Sequence, residues 1–272
     1  MAQSAQTFWP MQPDVPLGLT RDADHLYTAN YPPALPVTYR SVTGILSVLN
    51  KPALMNWYGS IAAGWAVDNT ATMLTMLEGL GREATVKAVA ARGRAERDRK
   101  GAIGTAAHGA VEAALNGMAP ILTPDTAPLF AQFQRFMVEW EFVPTWSEAM
   151  ICSERHGYAG TFDLYGELAG KRCLIDVKTG SYMAPEMGLQ LAAYGAADFI
   201  GKPGTLDRWK LPPIDLYLVL QLQPTFYRLI PYTVTGAELQ AFVAALALDG
   251  WVRKEGKHIM GQPIQKGMLK IA

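Results

Sequence analysis

Asp176 and Lys178 stand two residues apart within the stretch GTFDLYGELAGKRCLIDVKTGSYMAPEMGLQLAAY, residues 160–194. The alternation there predicts a strand ending near Glu167, a turn at Gly170 and a second strand over about 172–179. Side chains alternate faces along a strand, so Asp176 and Lys178 point the same way, roughly 6–7 Å apart. Ile175 and Val177 point to the opposite face, where apolar side chains can bury. With Asp163 on the neighbouring strand, the carboxylates and ammonium could hold a divalent cation and assist hydrolysis at a phosphate. A D-x-K tripeptide alone carries little information, and the chain holds a second copy, Asp98-Arg99-Lys100. That copy lies in a charged, helix-prone run with no strand around it and is set aside.

Three further positions share the pattern. His108 sits in GTAAHGAVEAALNG, a small-residue helix over 104–117 whose alanines and glycines allow close approach to a sheet, with Thr105 as the expected cap. Glu112 follows His108 by one helical turn and is a candidate partner for the imidazole; Glu154, on the adjoining strand, is another. Gln190 and Tyr194 lie four residues apart, which puts an amide and a phenol on one helix face. His156 falls in a turn and reads as a surface residue. A single histidine in an apolar helix is usually a packed residue; His108 stands out for its company in sequence order.

That ordered set, His108 followed by G-x-x-D, I-D-V-K-T and Q-x-x-x-Y, resembles the RecB-like branch of the PD-(D/E)XK nuclease superfamily. Within the branch the chain is most similar to phage-type and CRISPR-associated exonucleases, over roughly residues 41–199. The resemblance implies that His108, Asp163 and Asp176 ligate metal, with the Val177 carbonyl as a further ligand. It implies that Lys178 is the catalytic lysine, beside Asp163 and Asp176, and that Gln190 and Tyr194 contact or position substrate. It departs from its CRISPR-associated relatives in having two cysteines, Cys152 and Cys173, at unmatched positions, so no iron–sulfur cluster is expected. There is no G-x-x-x-x-G-K-[ST] loop, so no ATP-driven motor is expected either.

Phosphodiester hydrolysis requires neutralised charge on the phosphate, a hydroxide near neutral pH and help for the leaving oxygen. Mg²⁺ supplies these through oxygen ligands, and Mn²⁺ tolerates an imidazole ligand better. The expected activity is a Mg²⁺- or Mn²⁺-dependent deoxyribonuclease, an exonuclease on DNA ends or single strands serving replication, recombination or repair alongside a partner protein. A structure-specific endonuclease and a non-catalytic DNA-binding module on the same fold are the alternatives.

The elements that must position these residues follow a simple order. Residues 1–40 hold six prolines between Pro10 and Pro36 and read as an extended arm with at most a short hairpin and no chemistry. A helical part over 41–103 follows, broken at Gly44 and Pro52. Between Arg82 and Lys100 seven basic residues face three acids, and Arg92, Arg94 and Arg97 are candidate phosphate contacts beside the bland reading of a solvated helix face. The catalytic core spans 104–250: an amphipathic helix at 128–143, strands at 146–155, 160–168 and 172–179, a helix at about 184–199, strands within 211–231 and a helix at about 236–248. A basic tail, 251–272, carries Arg253, Lys254, Lys257, Lys266 and Lys270. The class is α/β, a mixed sheet with flanking helices, in a single domain of 41–272. Net charge is zero across 272 residues, so any affinity for a polyanion must be local. The N-terminus lacks a secretory pattern and no run is long enough to cross a bilayer, so a cytoplasmic protein with reduced thiols is expected.

Overall fold

The computed structural model describes residues 15–263. It is an α/β fold in which a mixed sheet lies between two layers of helices. The expected strands are present, with shifted ends: β4 (Val143–Ser153), β5 (Tyr158–Leu168), β6 (Lys171–Lys178), β9 (Leu216–Leu222) and β10 (Tyr227–Tyr232). The short strands β7 (Phe199–Gly201) and β8 (Arg208–Trp209) extend the sheet beyond β4.

The arm expected to hold at most a short hairpin is a three-stranded meander from Gly18 on. Residues 18–41 form β1 (Gly18–Arg21), β2 (Tyr27–Asn30) and β3 (Val37–Ser41), an antiparallel meander whose last strand joins the main sheet. Pro16, Pro32, Pro33 and Pro36 fall in the links, where a missing N–H removes no ladder bond. Leu19, Tyr27, Ala29 and Tyr31 bury against Cys152, Ala159 and Phe199, which seats the meander on the sheet. Pro10 and Pro13 lie outside the described residues, as do Lys266 and Lys270 of the basic tail.

β5 is the strand on which the sheet divides. β4 pairs with it along its length, register Val143↔Glu167 to Ser153↔Tyr158. Its other edge is shared: β3 runs parallel to it at Tyr158 and Ala159, and β6 runs antiparallel to it from Leu164 to Leu168. Between these pairings, residues 160–163 have no strand partner on that edge, and the sheet opens into a split. β6 continues into a parallel pairing with β9, which keeps Asp176 and Lys178 in register with Val219 and Gln221.

One helical layer consists of the C-terminal part of α3 (Thr70–Leu115) and α4 (Ala127–Glu139), packed through Ala107, Ala110, Val111, Phe130, Phe133 and Phe136 on Ile175, Val177 and Leu220. The other comprises α1 (Val42–Leu46), α5 (Met187–Gly195) and α6 (Gly236–Arg253), packed on Ile151, Tyr158, Phe162 and Leu174. α6 opens with a capping box, Thr235 with Glu238. The two faces of β6 divide as its alternation requires, with Ile175 and Val177 against α3 and α4.

α2 (Pro52–Asp68) buries no residue in the body; it packs on the middle of α3, about residues 92–100, as a helical hairpin. α3 is two helices joined at Gly81, whose φ of 78° is the left-handed region that glycine tolerates. From there the helix runs unbroken to Leu115, so Thr105 is an interior residue and not a cap. Gly93 allows the two helices of the hairpin to touch, because a Cβ there would lie 2.8 Å from the Tyr58 carbonyl oxygen. Among the described residues no helix is long and apolar enough to cross a membrane. Cys152 and Cys173 are unpaired and buried, and burial pushes their thiols up to about 12 and about 11.

Candidate metal centre

The split in the sheet is a cavity of about 390 Å³. Its floor is Gly160, Thr161 and Asp163 of β5 with Asp176 and Lys178 of β6. Its walls are Gly104, Thr105 and His108 of α3, Gln190 and Tyr194 of α5, and Ser41 to Thr43 where β3 meets α1.

Asp163 stands where the β5–β6 ladder stops. The last pair is Leu164↔Ile175, and the Val177 N–H, beyond it, donates to Asp163 Oδ2 at 2.5 Å. The N–H and C=O of one residue in an extended strand project to the same edge, so the Val177 carbonyl faces this split as well. Asp163 Oδ1 and Glu148 Oε1 each lie 3.4 Å from His108 Nδ1. The ligand atoms of His108, Glu148 and Asp163 all lie within 4.8 Å of one another, a spacing open to a shared cation.

Glu148 is the residue that the sequence reading missed. Counting back from the turn at 154–157, where Ser153 pairs with Tyr158, puts Glu148 opposite Asp163 on the adjoining strand. Its φ of 46° lies in the left-handed region, sparsely populated for a non-glycine residue, and such strain concentrates at functional positions. Glu112 and Glu154 do not take the places expected of them. Glu112 is exposed, with His108 partnered by Glu148 and Asp163 instead. Glu154 lies in the β4–β5 turn and pairs with Arg208 at 3.0 Å. His156, in the same turn, stacks on Tyr158.

Asp176 is almost completely buried and lies outside the closest set of three ligands, though it lines the same cavity. Gln190 Nε2 donates to Asp176 Oδ1 at 2.8 Å and to the Tyr194 hydroxyl at 3.0 Å, so the Q-x-x-x-Y pair serves to hold this carboxylate. Asp176 Oδ2 is ion-paired with Lys178 Nζ at 2.5 Å. Behind Lys178, Gln221 and Gln223 donate to carbonyls of Thr179, Gly180 and Ser181 and pin the chain as it leaves β6.

The electrostatics follow from burial and these neighbours. Burial pushes Asp176 up to about 6, with Lys178 pulling against it and Asp163 adding to it. Burial alone would also raise Asp163, but His108, Lys178 and the Val177 N–H outweigh it and hold Asp163 below the ordinary carboxylate range. For His108 burial favours the neutral ring, but Asp163 and Glu148 reverse this and lift it to about 10. Burial lifts the Tyr194 phenol well above its usual value. Three carboxylates thus surround one imidazole and one ammonium in a restricted space, and the acids draw a positive charge into it. One imidazole nitrogen with two carboxylate oxygens is a donor set that could hold a divalent cation.

The arginines proposed as phosphate contacts are not brought to this cavity. At about 1.5 Å rise per residue, Arg97 lies roughly 16 Å and Arg92 roughly 24 Å along the helix from His108. Arg92 rests on the Trp65 ring at 4.2 Å, and Arg97 bonds Asp98 and reaches the Tyr58 hydroxyl. Arg94 is exposed. No protein-family model and no curated protein matches the chain.

Proposed function

We propose that this protein is a divalent-metal-dependent deoxyribonuclease of the RecB-like PD-(D/E)XK type, acting on DNA ends or single strands in replication, recombination or repair. The observation that carries the reading is the convergence of His108, Glu148 and Asp163 beside the buried Asp176–Lys178 pair, in one cavity opened by the split of the sheet. The order of these residues in the chain, with Gln190 and Tyr194 after them, supports the same reading.

His108, Glu148 and Asp163 would hold the cation, with Asp176 and the Val177 carbonyl completing its shell. A bound Mg²⁺ or Mn²⁺ supplies charge neutralisation at the phosphate and an acidified water. Lys178 keeps its proton because Asp176 and Asp163 outweigh the burial that would discharge it. Its ammonium is therefore a fixed positive charge at the cavity floor, able to hold a water or the developing phosphorane oxygen. Gln190 fixes the orientation of Asp176, and Tyr194 fixes Gln190.

The test is a time course on end-labelled linear DNA with Mg²⁺, Mn²⁺ or EDTA, using the unaltered protein and the Asp163→Asn, Asp176→Asn and Lys178→Ala variants. Cleavage by the unaltered protein that EDTA abolishes, with a fall of at least about a hundredfold in each variant, is the expected result. Full activity in any of the three would reject the site. A covalently closed single-stranded circle left intact identifies an exonuclease; its linearisation identifies an endonuclease.

A further inference from the structure

The strands at the N-terminus contribute to the cavity a pair of residues to which the sequence reading gave no chemistry. The turn joining β1 to β2 brings Arg21 and His25 to the cavity mouth, beside Tyr27 of the same hairpin. Both are exposed, and Arg21 takes part in none of the ion pairs among the described residues. They are cationic or hydrogen-donating groups on the rim of a cavity whose floor carries Asp163 and Asp176, with Glu148 lining it as well.

The turn is built to hold its shape. Asp22 N donates to the Leu26 carbonyl, Leu26 N donates to Asp22 Oδ1 at 2.9 Å, and His25 N donates to the Asp22 carbonyl. Asp22 is thereby occupied in the turn and does not line the cavity. His25 adopts a φ of 58°, in the left-handed region, and is exposed. The hairpin in turn is fixed to the site strand: the Tyr27 hydroxyl and Thr161 Oγ1 are 2.8 Å apart, two residues from Asp163. On the far side, Gly18 packs so closely on the 202–205 loop that a Cβ would lie 2.2 Å from the Lys202 carbonyl oxygen. The backbone that carries the Arg21 guanidinium and the His25 imidazole is thus held in place relative to the proposed metal ligands.

We infer that the Arg21–His25 turn binds a backbone phosphate of the substrate strand next to the one being cleaved. This rests on the nuclease reading above. A guanidinium offers a planar fork of donors that matches two phosphate oxygens, and an imidazole N–H supplies a third bond. The acidic floor repels a phosphate that arrives without a cation, so a cationic rim is needed to bring the strand in. Arg21 and His25 are accordingly positioning residues, which act on binding and not on the chemical step.

The experiment measures fluorescence anisotropy of a labelled single-stranded oligonucleotide in EDTA, where binding does not depend on cleavage, over a range of salt concentrations. Arg21→Gln, Arg21→Lys and His25→Gln are compared with the unaltered protein, and the same set is assayed for KM and kcat with Mn²⁺. Arg21→Gln should weaken binding about tenfold, lower the slope of log Kd against log salt by about one, and raise KM with kcat within about twofold. Arg21→Lys should restore the slope but only part of the affinity, because an ammonium lacks the fork. His25→Gln should weaken binding with little change of slope. If the unaltered protein cleaves while Arg21→Gln keeps its Kd, slope and KM, the inference is overturned and the nuclease reading stands. If the unaltered protein neither binds nor cleaves the oligonucleotide, both fall together.

Discussion

Gly160 offers a sharp test of how the cavity is built. A Cβ placed on it would lie 2.8 Å from Tyr194 Cε1 and 3.1 Å from Val42 Cγ2. Carbon atoms in contact sit at about 3.5–4.0 Å, so in Gly160→Ala the Tyr194 ring must move by roughly 0.7 Å or more. It has little room, because the ring is buried and its hydroxyl is tied to Gln190 Nε2 at 3.0 Å. Overpacking of this kind costs about 1–3 kcal/mol. At ~2–4 °C per kcal/mol for a chain of about this size, Tm should fall by several degrees. The displacement also passes to Gln190 and from there to Asp176 Oδ1, which Gln190 holds at 2.8 Å. Misplacing a group at the reacting centre by about 1 Å can cost on the order of a hundredfold in rate, so activity should fall further than stability does. Thermal unfolding and cleavage are the two assays. The alanine penalty should also shrink in a Tyr194→Ala background, where the colliding ring is gone. A Gly160→Ala variant with Tm within about 1 °C and unchanged activity would refute the packing argument.

Other consequences are as direct. Gln190→Leu removes the donor to both Asp176 and Tyr194, leaving two buried oxygens without it, and should cost about 1–3 kcal/mol by urea unfolding. Neutralising Arg92, Arg94 and Arg97 together should lower the salt slope of DNA binding by less than about one and not three. None of the three lines the cavity, and Arg97 is already paired with Asp98; a slope change near three would contradict that geometry. Burial holds the Cys152 and Cys173 thiols far above neutral pH, so a thiol-reactive dye near pH 8 should label neither in the folded protein and both in urea. Rapid labelling of the native protein would show that the sheet around them opens readily.

What could be read from the chain follows from how local each signal is. The strands that carry Asp163 and Asp176 were legible because period-two alternation and the Gly170 turn are properties of neighbouring residues. Glu148 was passed over for Glu154 because the strands expected at 146–155 and 160–168 imply another register; the observed pairing of Ser153 with Tyr158 puts Glu148 across from Asp163 and leaves Glu154 in the turn. Glu112 looked correct because helical spacing says which residues share a face but not which face meets the sheet. Proline density made residues 1–40 read as an extended arm with at most a short hairpin; from Gly18 on, the prolines lie in the links, and the strands between them are held by Leu19, Tyr27 and Ala29 packing on Cys152 and Ala159. No local pattern encodes the split of β5 between β3 and β6, because it depends on which strand claims an edge from far along the chain.

The cation site is the claim on which the rest depends, and a Mn²⁺ titration followed by electron paramagnetic resonance tests it most directly. The unaltered protein should bind Mn²⁺, with His108→Ala, Glu148→Gln and Asp163→Asn each weakening it at least about tenfold and Glu112→Gln leaving it unchanged. Equal Mn²⁺ affinity in all four variants and the unaltered protein would contradict the account.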